Sequence, residues 1–219
     1  MDFSYLPKRI HFFWPIFIIL FYIWGPGRFL ALLLFSFLTL LFLFRKSRPV
    51  IHEDSSVPDG FVLSPSNGKV LSIRKGIHHE AFGQHLTEIR VSLSWFSEVG
   101  LSFPVTGEVE SYKLRKGISF LRLGRKKLED KERPSFHAKL LAIKGKNGED
   151  IGMEFLKCEL GLEADLWVRP GDRGKRKARL GYFPFGGTIL VYFSGDYEIL
   201  AGQGEKLIQG ETPLAGKFY

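Results

Sequence analysis

Chemistry in this chain would have to come from its histidines, its lone cysteine, its glycine-rich segment or its basic runs. His78, His79 and His85 fall close together in GIHHEAFGQH, with Glu80 between them. Imidazoles at such spacing are metal-ligand types, but the segment reads as a polar loop between strands, so no metal site is expected. His52 and His137 read as surface residues. Cys158 is the only cysteine, which excludes an intramolecular disulfide and any multi-cysteine metal centre, and it reads as a small buried residue in a strand. The glycine-rich GYFPFGGT (181–188) lacks the spacing and following lysine of a phosphate loop. On pattern alone it is a turn leading into the buried strand TILVYF.

Two basic runs remain. Residues 115–133 include Arg115, Lys116, Arg122, Arg125, Lys126, Lys127, Lys131 and Arg133, and residues 169–179 include Arg169, Arg173, Lys175, Arg176, Lys177 and Arg179. Their plainest reading is two solvated loops. Their functional reading is a surface facing anionic phospholipid, with Arg122, Arg125, Lys126, Lys127, Arg173, Lys175, Arg176 and Lys177 as head-group contacts. Each such side chain held near an anionic membrane contributes about 1 kcal/mol.

The elements that must position these residues fall into two parts. Residues 10–44 are almost continuously apolar, with His11 and Arg28 their only ionisable side chains. Gly25-Pro26-Gly27 divides the run, because a Gly-Pro-Gly triplet turns the chain and interrupts helical hydrogen bonding. Two short transmembrane helices, 10–24 and 28–44, are therefore expected within a membrane anchor spanning 1–48. A hairpin re-entering one leaflet is the alternative, and a cleaved signal peptide fits poorly because no small-residue cleavage site follows. Lys8 and Arg9 precede the run and Arg45, Lys46 and Arg48 follow it, which puts both ends in the cytoplasm. Much of the net charge of +8 belongs to this segment and its flanks. Nucleic acid, which asks for a basic stripe on the folded domain, is not an expected partner.

A Pro- and Ser-containing linker (49–59) leads to a domain spanning 60–219. There, short apolar or alternating runs are separated by Gly, Asn and Asp, the pattern of a β-rich barrel or sandwich. The runs are 60–63, 69–73, 88–94, 107–113, 138–144, 150–156, 165–168, 188–193 and 206–208. Ser66-Asn67-Gly68 and Lys146-Asn147-Gly148 are tight-turn sequences.

In order along the chain, the apolar hairpin, FRKSRP, VLSPSNGKVLSI, FPVTGEVES, LGYFPFGGTILVYF and GEKLIQGETPLA resemble the short, membrane-anchored phosphatidylserine decarboxylases and their archaetidylserine decarboxylase relatives. The resemblance covers about residues 10–216. It implies a mainly β, barrel-like domain of that type behind an α-helical membrane hairpin. It also implies a proenzyme: a serine in a Gly-Ser-Thr-like sequence attacks the preceding carbonyl, and β-elimination leaves a pyruvoyl group on the smaller chain. That keto group forms a Schiff base with the substrate amine and takes up the electrons released with CO₂.

At the positions matching the family's machinery this chain departs. Gly187 stands where the serine belongs and has no oxygen to attack with. Asn67 replaces the aspartate of an Ala-Asp-Gly turn. Counting back from Pro104, the Asp-Val-His-like motif and its neighbours fall on Ser97, Glu98, Val99, Leu101 and Ser102, with an apolar residue at the histidine. Three readings follow. In the first, the protein is a pseudoenzyme of phospholipid metabolism, with no cofactor of its own, that binds anionic phospholipid or a partner such as an active homologue or a second copy. In the second it is an active lipid decarboxylase that cleaves between Gly187 and Thr188 and carries a 2-oxobutanoyl group. In the third it is a membrane-tethered interaction scaffold. All three place it at the cell membrane with the β domain on the cytoplasmic side. Binding to anionic against neutral liposomes separates the lipid binder from the scaffold.

Overall fold

The computed structural model describes residues 18–19, 21–23, 25–43, 60–94, 98, 100–118, 136–146, 148, 150–158, 162–194 and 196–217. The chain divides into two compact units, Met1–Lys46 and Ser47–Tyr219. In the first, Gly25 turns with φ of 75° and helix α1 runs from Pro26 to Leu43. Proline suits that opening, since the first helical turn has no use for its missing N–H. Leu30, Leu34, Phe35, Phe37 and Leu38 are all more than half exposed.

Among the described residues the expected transmembrane hairpin is not supported. The 10–24 segment falls largely outside the described residues, and 28–44 falls on α1. Eighteen residues at 1.5 Å each extend only about 27 Å, against about 30 Å of hydrocarbon. Among the described residues, no helix is long and apolar enough to cross a membrane.

The second unit is mainly β. Its strands are β1 (Phe61–Leu63), β2 (Gly68–His79), β3 (Gly83–Leu93), β4 (Gly100–Ser102), β5 (Gly107–Arg115), β6 (Ala138–Gly145) and β7 (Asp150–Leu156). They continue as β8 (Asp165–Leu166), β9 (Arg173–Gly174), β10 (Arg179–Tyr182), β11 (Gly187–Ser194), β12 (Glu198–Ile199), β13 (Lys206–Leu207) and β14 (Pro213–Gly216). An eight-stranded antiparallel sheet has the order β13-β2-β3-β11-β7-β6-β5-β9, beside three-stranded sheets β1-β14-β12 and β4-β10-β8. The barrel-like expectation is corrected here, because the large sheet stays open. Its end strands β13 and β9 have two residues each, too short to pair along a closing seam.

Both faces of this sheet are covered at its centre, which is why TILVYF reads as an unbroken apolar run. Ile89, Val91, Leu93, Ile151, Met153, Phe155, Ile189, Val191 and Phe193 point into the main core. Leu86, Ala138, Leu140, Leu156, Leu190 and Tyr192 form a smaller cluster on the opposite face.

The histidine segment is also corrected: it is no loop. β2 and β3 extend through it as one long hairpin that turns at residues 80–82. His79 is buried at the end of β2 because its ring stacks on Phe82 (centroids 4.6 Å apart) and packs against Tyr192 (4.8 Å).

Candidate functional site

Strand β10 runs through Phe183-Pro184-Phe185-Gly186 into β11. Phe185 and Gly186 both take left-handed backbone, at φ 60° and 71°. A bulky residue in that region is an uncommon strain, of the kind that concentrates at functional turns. Gly187 opens β11, fully buried and paired with Leu93 of β3. A Cβ built on Gly187 would run into the buried Phe183 ring, at 2.6 Å from Cε1 and closer to Cζ. The niche where the resemblance expects a serine side chain is thus filled by Phe183.

Thr188 is one residue on, and in a strand one residue is one face. Gly187 meets Phe183 and the main core, whereas Thr188 shares the other face with Leu190 and Tyr192. Thr188 is 1% exposed, and its Oγ1 has no hydrogen-bond partner among the described residues.

The turn at 66–68 lies at the same end of the sheet. Lys69 pairs with Ser92, and the next residue of β3, Leu93, pairs with Gly187. Two inter-strand steps separate the turn from Gly187, roughly 10 Å. Asn67 is held from both sides: its Nδ2 donates to Glu98 Oε2 (3.0 Å), and the backbone N–H of Gln209 donates to its Oδ1 (2.9 Å). Ser102, on β4, is buried and its N–H donates to the carbonyl of Pro65 (2.9 Å). The structure therefore gathers Asn67, Glu98, Ser102 and Gly187 at one end of the fold. Ser97 and Val99 lie outside the described residues.

The amide at position 67 is matched to the carboxylate at 98. Replacing it with the family's aspartate (Asn67→Asp) removes the donor and sets two carboxylates face to face. This variant is expected to lose about 1.5 kcal/mol, read as a lower urea midpoint at pH 7; an unchanged or higher midpoint would show that the Asn67–Glu98 bond contributes nothing.

The basic residues divide. Arg122, Arg125, Lys126 and Lys127 lie outside the described residues. Arg173 and Lys175 are exposed, with Arg173 Nε 2.8 Å from Glu108 Oε2. Arg176, expected among the lipid contacts, is instead buried at 7% exposure, and its N–H donates to Thr106 Oγ1 (3.0 Å). Lys177 is half-buried, packs along Gly210 and donates its N–H to the Phe103 carbonyl. The sequence as 169–179 looks uniformly basic, but chain pairing at Phe103 and Thr106 draws its centre inward.

One constellation escaped the sequence reading. Glu154, fully buried on β7, accepts from Arg115 Nη2 and, at 3.1 Å, from the Tyr192 hydroxyl, with His79 Nε2 at 3.4 Å. Glu88, on β3, pairs with Arg74 at 3.0 Å. Burial alone would push the Glu154 carboxyl up, but His79 and Arg115 outweigh it and hold it below the ordinary value. For Glu88 burial wins over Arg74, and its carboxyl is raised. Burial, then Glu154 and Glu88, push the Tyr192 phenol well above its usual range, so it stays a donor. The available signal was a charge flanked by apolar neighbours inside a strand, as in IGMEFL and TEIRV.

The sequence profile described as Phosphatidylserine decarboxylase matches residues 35–215. A phosphatidylserine decarboxylase proenzyme of Syntrophus aciditrophicus is 27% identical over 165 residues, covering 74% of this chain and 75% of the relative. One of Symbiobacterium thermophilum is 26% identical over 196 residues, covering 89% and 85%. One of Ruegeria pomeroyi is 28% identical over 160 residues, covering 72% and 71%. With a family profile matched across most of its length, this chain belongs to the phosphatidylserine decarboxylase family.

Proposed function

We propose that this protein is a family member working without a keto-acyl group of its own, as a binder of anionic phospholipid at the membrane surface or of a partner enzyme there. The observation that carries the proposal is the Gly187 position. It offers no hydroxyl, and the Phe183 ring stands where a side chain would go. Self-cleavage at the preceding carbonyl needs an oxygen poised within bonding reach, and a near-attack geometry is unforgiving of misplacement. Thr188 supplies an oxygen, but on the opposite face of β11 from the Gly187 niche.

Membrane association rests on the first unit. A helix exposing Leu30, Leu34, Phe35, Phe37 and Leu38 presents an apolar surface that lipid or protein must cover. The basic residues on either side of the apolar run favour anionic head groups and a cytoplasmic β domain.

Intact mass of the purified full-length protein, with the N-terminus of any small fragment, tests the reading. The expected result is one uncleaved chain of 25.0 kDa. Two chains, the smaller beginning at a keto-acyl group derived from Thr188, would overturn it. Thr188→Val adds a second readout. Because the hydroxyl is buried and has no partner among the described residues, its replacement by a methyl is expected to raise stability by about 1 kcal/mol without changing the mass pattern. A working nucleophile would instead lose its cleavage in this variant.

A further inference from the structure

A cavity of about 700 Å³ opens where β5, β6 and β9 meet. Its floor is backbone: Gly107 pairs with Gly145 on one side and with Gly174 on the other, so three adjacent strands present glycine side by side. Strand packing accounts for two of these glycines, since a Cβ on Gly107 would strike the backbone of residues 144–145 and one on Gly174 the Phe103 ring. The three glycines line the cavity beside long charged side chains.

The rim is cationic. Lys144, Lys146, Arg173 and Lys175 line the cavity with Glu108 and Glu110. Arg173 is matched by Glu108 at 2.8 Å. That leaves Lys144, Lys146 and Lys175, none of them in an ion pair among the described residues, against Glu110. Three ammonium groups held around one concavity repel one another, and an anion between them relieves that repulsion. Thr106 adds a directed donor. Its Oγ1 already accepts from the Arg176 N–H at 3.0 Å, so the hydroxyl proton is free to point at a ligand. The volume lies within the range of small-molecule sites.

We propose that this cavity binds the phosphate of an anionic phosphate ester, held by Lys144, Lys146 and Lys175 with Thr106. The lipid form of this ligand rests on the function proposed above; the phosphate site itself does not. Lys144 and Lys146 come from the end of β6 and Lys175 follows β9, so amines from two strands border the cavity and suit a multiply charged oxygen cluster better than a single carboxylate. The site lies apart from the Gly187 turn in strand order: Gly187 opens the interior strand β11, and the cavity lies at the β6-β5-β9 end of the large sheet.

The test uses the full-length protein in neutral detergent or neutral nanodiscs. Calorimetric titration with glycerophosphoserine and with inorganic phosphate reads the soluble arm. Co-flotation with phosphatidylcholine vesicles containing or lacking phosphatidylserine reads the membrane arm. Lys144→Ala/Lys146→Ala is expected to weaken binding by at least about tenfold, whereas Lys75→Ala on the exposed face of β2 leaves it unchanged. Glu110→Gln, which removes the opposing charge, is expected to tighten binding severalfold and keeps the test decisive if the double variant folds poorly. Soluble phosphate esters bound in a lysine-dependent way, with no preference for anionic vesicles, would support the cavity and overturn the lipid reading. Anionic vesicles bound equally by wild type, the double variant and Glu110→Gln would keep the lipid reading and overturn the cavity. Binding in neither arm overturns both.

Discussion

Glu154→Leu is expected to destabilise the β unit by about 3 kcal/mol, more than any other single change considered. The buried carboxylate satisfies Arg115, the Tyr192 hydroxyl and His79 together. Deleting one member of a buried ionic cluster typically costs about 3–5 kcal/mol, because the groups left behind are desolvated without a partner. The lower end applies here, since Arg115 is 23% exposed and recovers some water. Urea unfolding followed by tryptophan fluorescence measures the loss. A shift under about 0.5 kcal/mol, the size expected of an ordinary surface substitution, would mean that the cluster does not hold the second face of the sheet together.

The same cluster gives stability a definite pH dependence. Glu154 is depressed in the fold, so its contribution is present above the unfolded value of 4.5 and is lost as pH falls through its lower folded value. Glu88 is raised, so its effect has the opposite sign: it favours the fold below 4.5 and loses that favour as pH rises toward its folded value. The two carboxylates therefore offset one another on the acid side. In Glu88→Gln only the Glu154 dependence remains, and melting temperature should fall more steeply between pH 6 and pH 3 than in wild type. In Glu154→Leu the slope should flatten or reverse. Parallel curves for all three proteins would sink this assignment.

Gly187→Ser is the second substitution with a large expected effect, and its value is that supplying the serine implied by the resemblance should not produce cleavage. The new side chain meets Phe183, which is fully buried in the main core. Overpacking of this kind costs about 1–3 kcal/mol. The product should remain one chain by intact mass, since Asn67 still presents an amide held by Glu98 and Gln209. Phe183→Leu frees part of the niche. In the double variant the combined loss should be smaller than the sum of the two single losses by at least about 0.5 kcal/mol, the signature of residues sharing one space. Additive losses would separate Phe183 from the 187 niche. Appearance of a cleaved, keto-acylated chain in Gly187→Ser would mean that serine alone was missing and that the rest of the old machinery survives.

Much of the architecture was legible because it depends on local rules. Alternation and turn residues located the central strands: 150–156 coincides with β7, and 138–144, 107–113 and 188–193 fall within β6, β5 and β11. The family could be read from motif order alone, and so could the lack of a hydroxyl at Gly187 and of a carboxylate at Asn67, because an absent functional group is a property of the residue itself. The short strands β4, β9, β10, β12 and β14 were not legible. At two to four residues they carry no period of their own, and they exist only because a neighbour offers them a ladder.

Other features were decided by tertiary structure for the same kind of reason. Closure or opening of the large sheet depends on whether its end strands are long enough to meet, which no single segment records. Glu154, Arg115 and the hairpin residues His79 and Glu88 come from separate parts of the sequence and become one cluster only through strand register. Arg176 looks like its basic neighbours until the Thr106 hydroxyl and the Phe103 carbonyl draw its stretch of chain inward. Positions 187 and 188 differ by one residue in sequence, yet in a strand that single step puts them on opposite faces of a sheet.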